Sequence, residues 1–144
     1  MIGQKSGTLT VETPGRGMTD ITGEITRWLQ DVGFEEGILT VFIQHSSASL
    51  TIQENADPDV QYDLDDFLGR VVPDTPSLYR HTAEGADDMP AHIRSALTDV
   101  SLSIPVLDGR MRLGTWQGVY VFEHRTSPHR RKLALHVMGT FGGL

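Results

Sequence analysis

Cysteine is absent from the sequence, which excludes disulfide bonds, thiolate catalysis and cysteine-ligated zinc. A transition metal would therefore have to bind through histidine and carboxylate side chains. No apolar run approaches the roughly 20 residues that a membrane helix needs. The N-terminal segment MIGQKSG also lacks the basic and apolar regions of a signal peptide. These absences predict a soluble cytoplasmic protein with no membrane partner.

Basic residues are few, since 12 lysines and arginines stand against 19 aspartates and glutamates, for a net charge of −7. Nucleic-acid binding needs a basic face that displaces counterions, so this balance argues against a nucleic-acid partner. Positive charge is concentrated in residues 124–132, which include Arg130 and Arg131. This segment could be a solvated hairpin turn or a small site for an anion such as phosphate.

The spacing of apolar residues predicts about seven strands and three inserted helices, with no linker or internal repeat. A capping residue stands at the start of each predicted helix, namely Thr19 or Asp20, Asp57 and Asp88. Strands and helices do not alternate regularly, so the pattern predicts an α+β fold rather than repeated βαβ units. Residues 1–144 are expected to form one domain.

Apolar stripes predict which faces of the helices are buried. The second helix carries a stripe at helical spacing that consists of Val60, Leu64, Phe67, Leu68 and Val71. The third helix is expected to turn Ile93, Ala96 and Leu97 inward. Further along the chain, Asp108-Gly109 between two predicted strands indicates a two-residue hairpin turn.

An unusually polar segment, HSSASLTIQENADPD, runs from His45 to Asp59 and follows an apolar strand. Polar groups near a core are destabilising unless they are paired, so this concentration indicates a site. His81 and His92 lie in an equally polar stretch. Three imidazoles converging from separate elements would suit Zn²⁺ with an open position for water or substrate. Otherwise each histidine is a surface or hydrogen-bonding residue.

Asp88 lies four residues before His92, so the two side chains share one face of the third helix. The carboxylate could orient the imidazole of His92. It could equally place negative charge at the helix N-terminus, and the adjacent Asp87 could serve as the cap instead.

Candidate acid–base and substrate-binding groups also occur in the polar segment. Glu54 lies at the end of an apolar strand face, where partial desolvation would suit a general base, unless the side chain simply faces water. Asn55 follows it directly. Hydroxyl groups that could hold an oxyanion or phosphate, or bond to the nearby backbone as turn serines usually do, belong to Ser46, Ser47 and Ser49.

Gln117 and Glu123 project from the same side of a predicted strand between Gln117 and His124. Two apolar residues separate them on that face. A polar pair on a mostly apolar face is typical of a pocket wall, or of a sheet or subunit interface with buried hydrogen bonds.

Three segments resemble the YjbQ family, which is also called the secondary thiamine-phosphate synthase family. They are HSSASLTIQENADPDV, HTAEGADDMPAHIRSAL and SLSIPVLDGRMRLGTWQGVYVFEHR, and the match runs from about Gly37 to Gly139. The resemblance implies an α+β fold with two packed sheets. It also implies a homotrimer with a polar cleft at the subunit junction.

The resemblance further implies a site and a reaction. The family's motif positions coincide with His45, Glu54, His81, His92 and Gln117. The three histidines thereby become candidate ligands of a divalent metal such as zinc. The implied reaction joins an aminopyrimidine diphosphate to a thiazole phosphate and releases pyrophosphate.

Two hypotheses about function result. In the first, the protein is an enzyme that acts on a small anionic or phosphorylated substrate, with Glu54, Asp88 and Gln117 as catalytic candidates. The expected substrate contacts in that enzyme are Ser46, Ser47, Ser49, Asn55, Arg130 and Arg131. In the second, the protein is a non-catalytic trimer that binds an anionic or phosphorylated metabolite in the same cleft.

Overall fold

A computed structural model describes residues 1–142 and shows the mixed α+β fold that the sequence predicts. The eight strands are β1 (Gly3–Thr13), β2 (Gly17–Asp20), β3 (Phe34–Ile43), β4 (Ala48–Glu54), β5 (Ser101–Leu107), β6 (Arg110–Met111), β7 (Gln117–Glu123) and β8 (His129–Phe141). The helices are α1 (Thr22–Asp31), α2 (Pro58–Val71) and α3 (Asp88–Leu97), with a short 3-10 helix at Pro76–Leu78.

Two antiparallel sheets share the core. The larger sheet has the strand order β1-β8-β3-β5-β6, and the smaller has the order β2-β7-β4. One cluster of buried apolar side chains contains residues from both sheets and from α1, including Ile25, Leu39, Leu50, Val121 and Leu135. In β5 buried and exposed residues alternate from end to end, because successive side chains of a strand point to opposite faces.

Local signals in the sequence correctly mark several boundaries. Asp57 caps α2, since its Oδ1 accepts a hydrogen bond from the Asp59 N–H at 2.9 Å, and Pro58 lies in the first turn. Asp108 and Gly109 both have positive φ, 54° and 75°, as a type I′ hairpin turn requires. Within residues 1–142, no helix has the length and apolar character needed to cross a membrane.

The strand count differs from the expected seven because β2 has no clear sequence signal. This four-residue strand pairs with β7, and its residues show no alternation of burial. Strands β1 and β8 are also longer than the alternating segments predict. They pair in register from Gly3 opposite Gly139 to Thr13 opposite His129. Hydrogen bonding between their backbones extends both strands through segments rich in polar side chains.

The predicted inward faces of α2 and α3 are only partly correct. In α2 only Leu68 is buried, whereas Phe67 and Val71 are each 54% exposed. In α3 the expected inward residue Leu97 is 61% exposed. The buried face of α3 consists instead of Asp88, Pro90, Ala91, Arg94 and Ser95. This face carries polar groups with partners elsewhere in the chain, so hydrogen bonding rather than apolar spacing sets the rotation of the helix.

Candidate metal centre

Two of the three candidate histidines converge with a carboxylate at the N-terminal end of α3. His81, Asp88 and His92 each offer one ligand atom, and these atoms all lie within 4.8 Å of one another. His81 comes from the loop before α3, while Asp88 and His92 lie one turn apart on the helix. Two imidazoles and one carboxylate form a donor set that suits Zn²⁺ and related divalent ions.

The carboxylate of Asp88 is shared between both imidazoles. Its Oδ2 lies 2.5 Å from Nε2 of His81 and 3.1 Å from Nε2 of His92, and the residue is only 2% exposed. Burial alone would raise the pKa of Asp88, but the hydrogen bond from His81 and the charges of His92 and Arg125 outweigh burial and lower that pKa. Asp88 is therefore anionic at neutral pH, as a candidate metal ligand must be.

The hydrogen bonds of His92 define which of its ring nitrogens carries a proton. Its Nδ1 lies 2.9 Å from the carbonyl oxygen of Ser46, which can only accept, so Nδ1 is protonated. In a neutral imidazole Nε2 then presents a lone pair to the Asp88 carboxylate. A second proton or a bound cation removes the resulting repulsion. Metal-binding histidines commonly donate their other N–H to a backbone carbonyl in this way, so these residues fit a metal ion.

His45 lies outside the group of three converging ligand atoms. Its Nε2 accepts a hydrogen bond from the Lys132 N–H at 2.8 Å, and its Nδ1 lies 3.4 Å from Nη1 of Arg131. Burial, together with the charge of Arg131, lowers the pKa of His45 and favours the neutral imidazole. The side chain nevertheless shares a cavity of about 300 Å³ with His92 and Ser46.

The predicted serine cradle is divided between the surface and the interior. Ser46 is exposed, and it borders the cavity next to His92. Ser47 and Ser49 are buried. Oγ of Ser49 lies 2.9 Å from Nε2 of His124 and accepts a hydrogen bond from Oγ1 of Thr98 at 2.7 Å. Of the three serines, Ser46 is therefore the one placed to contact a ligand from solvent.

The two candidate arginines also differ in accessibility. Arg130 has a side chain that is 71% exposed, and it forms an ion pair of 3.5 Å with Glu12. Arg131 is 3% exposed, and its Nε and Nη2 lie 2.8 Å and 2.5 Å from the carboxylate oxygens of Glu123. Its Nη2 also donates to the Ser47 carbonyl. Arg131 therefore supports the polar segment from inside, whereas Arg130 is open to a ligand.

Glu54, Asn55 and Gln117 lie at the opposite end of the smaller sheet. Glu54 is the cross-strand partner of Gln117, and the Asn55 N–H donates to the Trp116 carbonyl at 2.9 Å. The rise along β4 from Ala48 to Glu54 is about 20 Å. His92 contacts the chain before β4, at Ser46. One chain therefore does not bring Glu54 to the histidines.

Glu123 belongs to the interior rather than to a pocket wall. Its carboxylate is fully buried and accepts hydrogen bonds from Arg131, from Oγ1 of Thr13 at 2.6 Å and from the backbone N–H groups of His124 and Arg125. Burial alone would raise the pKa of Glu123, but the hydrogen bonds from Arg131 and Thr13 lower it. The residue is thus a buried carboxylate whose charge is compensated by Arg131.

The sequence does not identify two residues next to the candidate metal centre as site residues, because their partners are distant in sequence. Arg125 follows β7 and contacts both Asp87 and Asp88, at 2.9 Å and 2.8 Å. Asp87 was considered only as a helix cap, but its side chain makes no capping bond. Burial alone would raise the pKa of Asp87, but hydrogen bonds from Arg125 and Thr126 lower it to about 2. The adjacent acids in GADDMP were the one available signal.

Comparison with known proteins gives a consistent result over almost the whole chain. The family model described as UPF0047 protein YjbQ-like matches residues 7–140. A UPF0047 protein of Synechocystis sp. is 51% identical over 131 residues, which cover 91% of this chain and 89% of the relative. The UPF0047 protein YjbQ of Escherichia coli O157:H7 is 44% identical over 133 residues, 92% of this chain and 96% of the relative.

Solved structures match equally well. A crystal structure of a YjbQ/UPF0047 protein from Clostridium acetobutylicum has a TM-score of 0.81 at 33% identity, covering 90% of this chain and 98% of that one. A YbjQ-like protein from Sulfolobus solfataricus has a TM-score of 0.86 and covers 97% of this chain and all of that one. Because its identity is only 19%, this second match bears on the fold alone.

Proposed function

The chain belongs to the UPF0047 YjbQ-like family, and on this premise we propose that it is a cytoplasmic metal-dependent enzyme acting on a small phosphorylated substrate. The observation that carries the proposal is the convergence of His81, Asp88 and His92, with His92 oriented by a backbone carbonyl. When bound, a divalent ion would polarise a phosphate oxygen or activate a water molecule.

The substrate site extends from the metal centre into the cavity beside His92. His45 and Ser46 form its polar side, whereas Ala96 and Val100 offer apolar surface. Ser46 can donate a hydrogen bond to an anionic oxygen, and the exposed Arg130 supplies positive charge on a neighbouring strand. Together these groups suit a ligand that has an anionic end and an apolar body.

The specific reaction follows from the family resemblance of the three sequence motifs. It joins an aminopyrimidine diphosphate to a thiazole phosphate with loss of pyrophosphate. Such a step needs preorganised positive charge where the leaving oxygens develop negative charge. In this chain Arg130 and a cation held by His81, Asp88 and His92 would supply that charge. The ring nitrogen of the thiazole forms the new C–N bond as pyrophosphate leaves, so this step transfers no proton. The Glu54 carboxylate would instead stabilise the positive charge that develops on the pyrimidine, and Gln117 would orient the substrate.

The proposed roles of Glu54 and Gln117 require a second copy of the chain, because His92 contacts the chain just before β4 and these residues lie at the far end of that strand, which is about 20 Å long. We extend the proposal to a homotrimer in which these residues face the metal centre of a neighbouring subunit. Exposed apolar side chains on the larger sheet support self-association. They include Ile38 of β3 and its cross-strand partner Met138 of β8. The exposed Phe42 projects from the same face of β3 as Ile38.

Replacing His92 by alanine is expected to weaken binding of Zn²⁺ or Co²⁺ by at least about 100-fold. The substitution removes a metal ligand itself, and loss of a residue that only orients a ligand already costs about 10–100-fold in affinity. Calorimetric titration of chelator-treated protein measures this change. His129→Ala is the matched control, since His129 bonds locally to the Ser127 carbonyl and should leave affinity unchanged. His45→Ala tests whether the third histidine joins the centre. Wild-type affinity in His92→Ala would refute the metal site.

Expression of the wild-type chain is expected to restore growth without thiamine in cells that lack their main thiamine-phosphate synthase. His92→Ala and Glu54→Gln should each fail, since each removes one half of the site. Co-expressing both variants should restore about a quarter of the sites. Each site takes His92 from one subunit and Glu54 from its neighbour, and in a randomly assembled ring each of these is intact about half of the time. No rescue by wild-type protein would exclude this reaction, and no recovery on co-expression would exclude the shared site.

One contact favours a second candidate function, a non-catalytic trimer that binds an anionic metabolite. Oε2 of Glu54 accepts a hydrogen bond from the Asp57 N–H at 3.1 Å, so the carboxylate has a structural role at the start of α2. Glu54→Gln separates the two functions in purified protein. An enzyme loses turnover and keeps its affinity for the ligand, whereas a binding protein shows no turnover in either form.

A further inference from the structure

Arg125 uses its guanidinium to join three groups that lie just before or at the start of α3. Its Nε lies 2.9 Å from Oδ2 of Asp87, and its Nη1 lies 2.8 Å from Oδ1 of Asp88. Its Nη2 donates to the Glu84 carbonyl at 3.1 Å. Only a planar, forked cation can reach all three acceptors at once, because an ammonium group is a single point of charge.

Asp87 anchors this arrangement to the segment that follows β7. Its Oδ2 accepts hydrogen bonds from the Thr126 N–H at 2.9 Å and from Oγ1 of Thr126 at 3.2 Å. The Arg125–Asp87 pair is also largely shielded, since the two side chains are 17% and 15% exposed. The start of α3 is therefore attached through two side chains to the loop between β7 and β8.

The two oxygens of Asp88 consequently face different partners. Oδ1 is held by Arg125, whereas Oδ2 faces both imidazoles. Across residues 1–142, Arg125 is the partner that the structure assigns to Oδ1. A carboxylate rotates readily about its last side-chain bond, so the orientation of Oδ2 depends on a bond that holds Oδ1.

Charge balance favours the same role. Asp87 and Asp88 carry two negative charges, and Arg125 compensates one of them. The charges of these three side chains sum to −1, which still attracts a divalent ion. A second anion would be costly to hold in this buried position without the guanidinium.

We propose that Arg125 is a positioning residue, which fixes the Asp88 carboxylate so that Oδ2 faces the position a metal would occupy between His81 and His92. This inference rests on the proposed metal site. Arg125 does not itself contact the ion or the substrate, and acts only through Asp88. Partners of this kind typically change metal affinity by 10–100-fold when they are replaced.

The test is a titration of chelator-treated full-length protein with Co²⁺, in which the visible absorption of the bound ion reports binding. A second titration adds Zn²⁺ to the Co²⁺-loaded protein and measures the displacement of Co²⁺. Arg125→Gln is expected to weaken Co²⁺ binding by about 10–100-fold and to alter the band intensity, because the carboxylate no longer holds one coordination geometry. Arg125→Lys, which keeps the charge without the fork, should recover part of the affinity. Arg27→Gln is the matched control, since Arg27 is an exposed arginine of α1 whose ion-pair partner is Glu24.

A purely structural role would leave the affinity and the Co²⁺ spectrum of folded Arg125→Gln at wild-type values, and this result would overturn the inference. If Arg125→Gln does not fold, the same measurement is made on Arg125→Lys, and wild-type affinity and spectrum in that variant would likewise overturn the inference. Failure of the metal site itself is distinguishable. In that case the wild-type protein binds no Co²⁺, whereas failure of the positioning role leaves wild-type binding intact and His92→Ala defective.

Discussion

Replacing Arg131 by methionine is expected to destabilise the folded protein by about 3–5 kcal/mol, because the Glu123 carboxylate then remains buried without its charged partner. Glu123 is fully buried, and Arg131 contacts both of its oxygens. The substitution also removes the bond to the Ser47 carbonyl, which holds the chain beside His45. The free energy of unfolding in urea measures the loss.

Arg130→Met is the matched control for this experiment. Arg130 is the preceding residue of β8, but its side chain points to solvent and its ion pair with Glu12 is exposed on both sides. Exposed pairs contribute about 0–1 kcal/mol, so this variant should stay close to wild-type stability. Replacing Glu123 and Arg131 together by apolar residues should restore much of the loss, since no unpaired charge remains. Equal effects of Arg130→Met and Arg131→Met would contradict the prediction.

Acidification is expected to destabilise the protein well above the pH at which carboxylates are protonated, and the buried imidazole of His124 is the main cause. This imidazole is fully buried, and burial lowers its pKa from 6.5 to about 3. At pH 7 His124 is neutral in both the folded and the unfolded chain. As the pH falls below 6.5, the unfolded chain binds a proton that the folded chain excludes, so unfolding becomes progressively more favourable until about pH 3.

For this single proton the free energy of unfolding is expected to fall by roughly 1 kcal/mol per pH unit. Over the whole pH range the loss accumulates to several kcal/mol. Urea unfolding at a series of pH values measures it. His124→Gln should flatten the curve above pH 5, even if the variant is less stable at pH 7. His136→Gln is the control, because His136 bonds to Ser6 and Gln4 at the surface and the variant should keep the slope. Parallel curves for wild type and His124→Gln would exclude His124 as the source.

Local sequence signals correctly identify the parts of the fold that depend on neighbours in the chain. The alternation in β5, the Asp57-Pro58 cap and the Asp108-Gly109 turn all follow from backbone geometry over a few residues. The pairing of Asp88 with His92 is of the same kind, because residues four apart share a helix face. The sequence therefore determines two of the three candidate metal ligands within a single helix.

The tertiary structure decides the relations that join distant segments. Arg125 meets Asp87 from 38 residues away, and His81 meets Asp88 from a loop with no regular spacing. The buried face of α3 follows from the partners of Arg94 and Asp88 and not from an apolar stripe. Such contacts depend on how two sheets and three helices pack, which periodicity does not encode.

The missing cysteine and the three histidines in polar segments were enough to limit any metal site in this protein to imidazole and carboxylate ligands. Which imidazoles converge was decided only in the folded chain. His45 is held at the edge of the sheet by the Lys132 N–H, whereas His81 and His92 meet across Asp88. The physical reason is that residue types define the available ligand chemistry, but the position of a ligand atom depends on hydrogen bonds made across the whole fold.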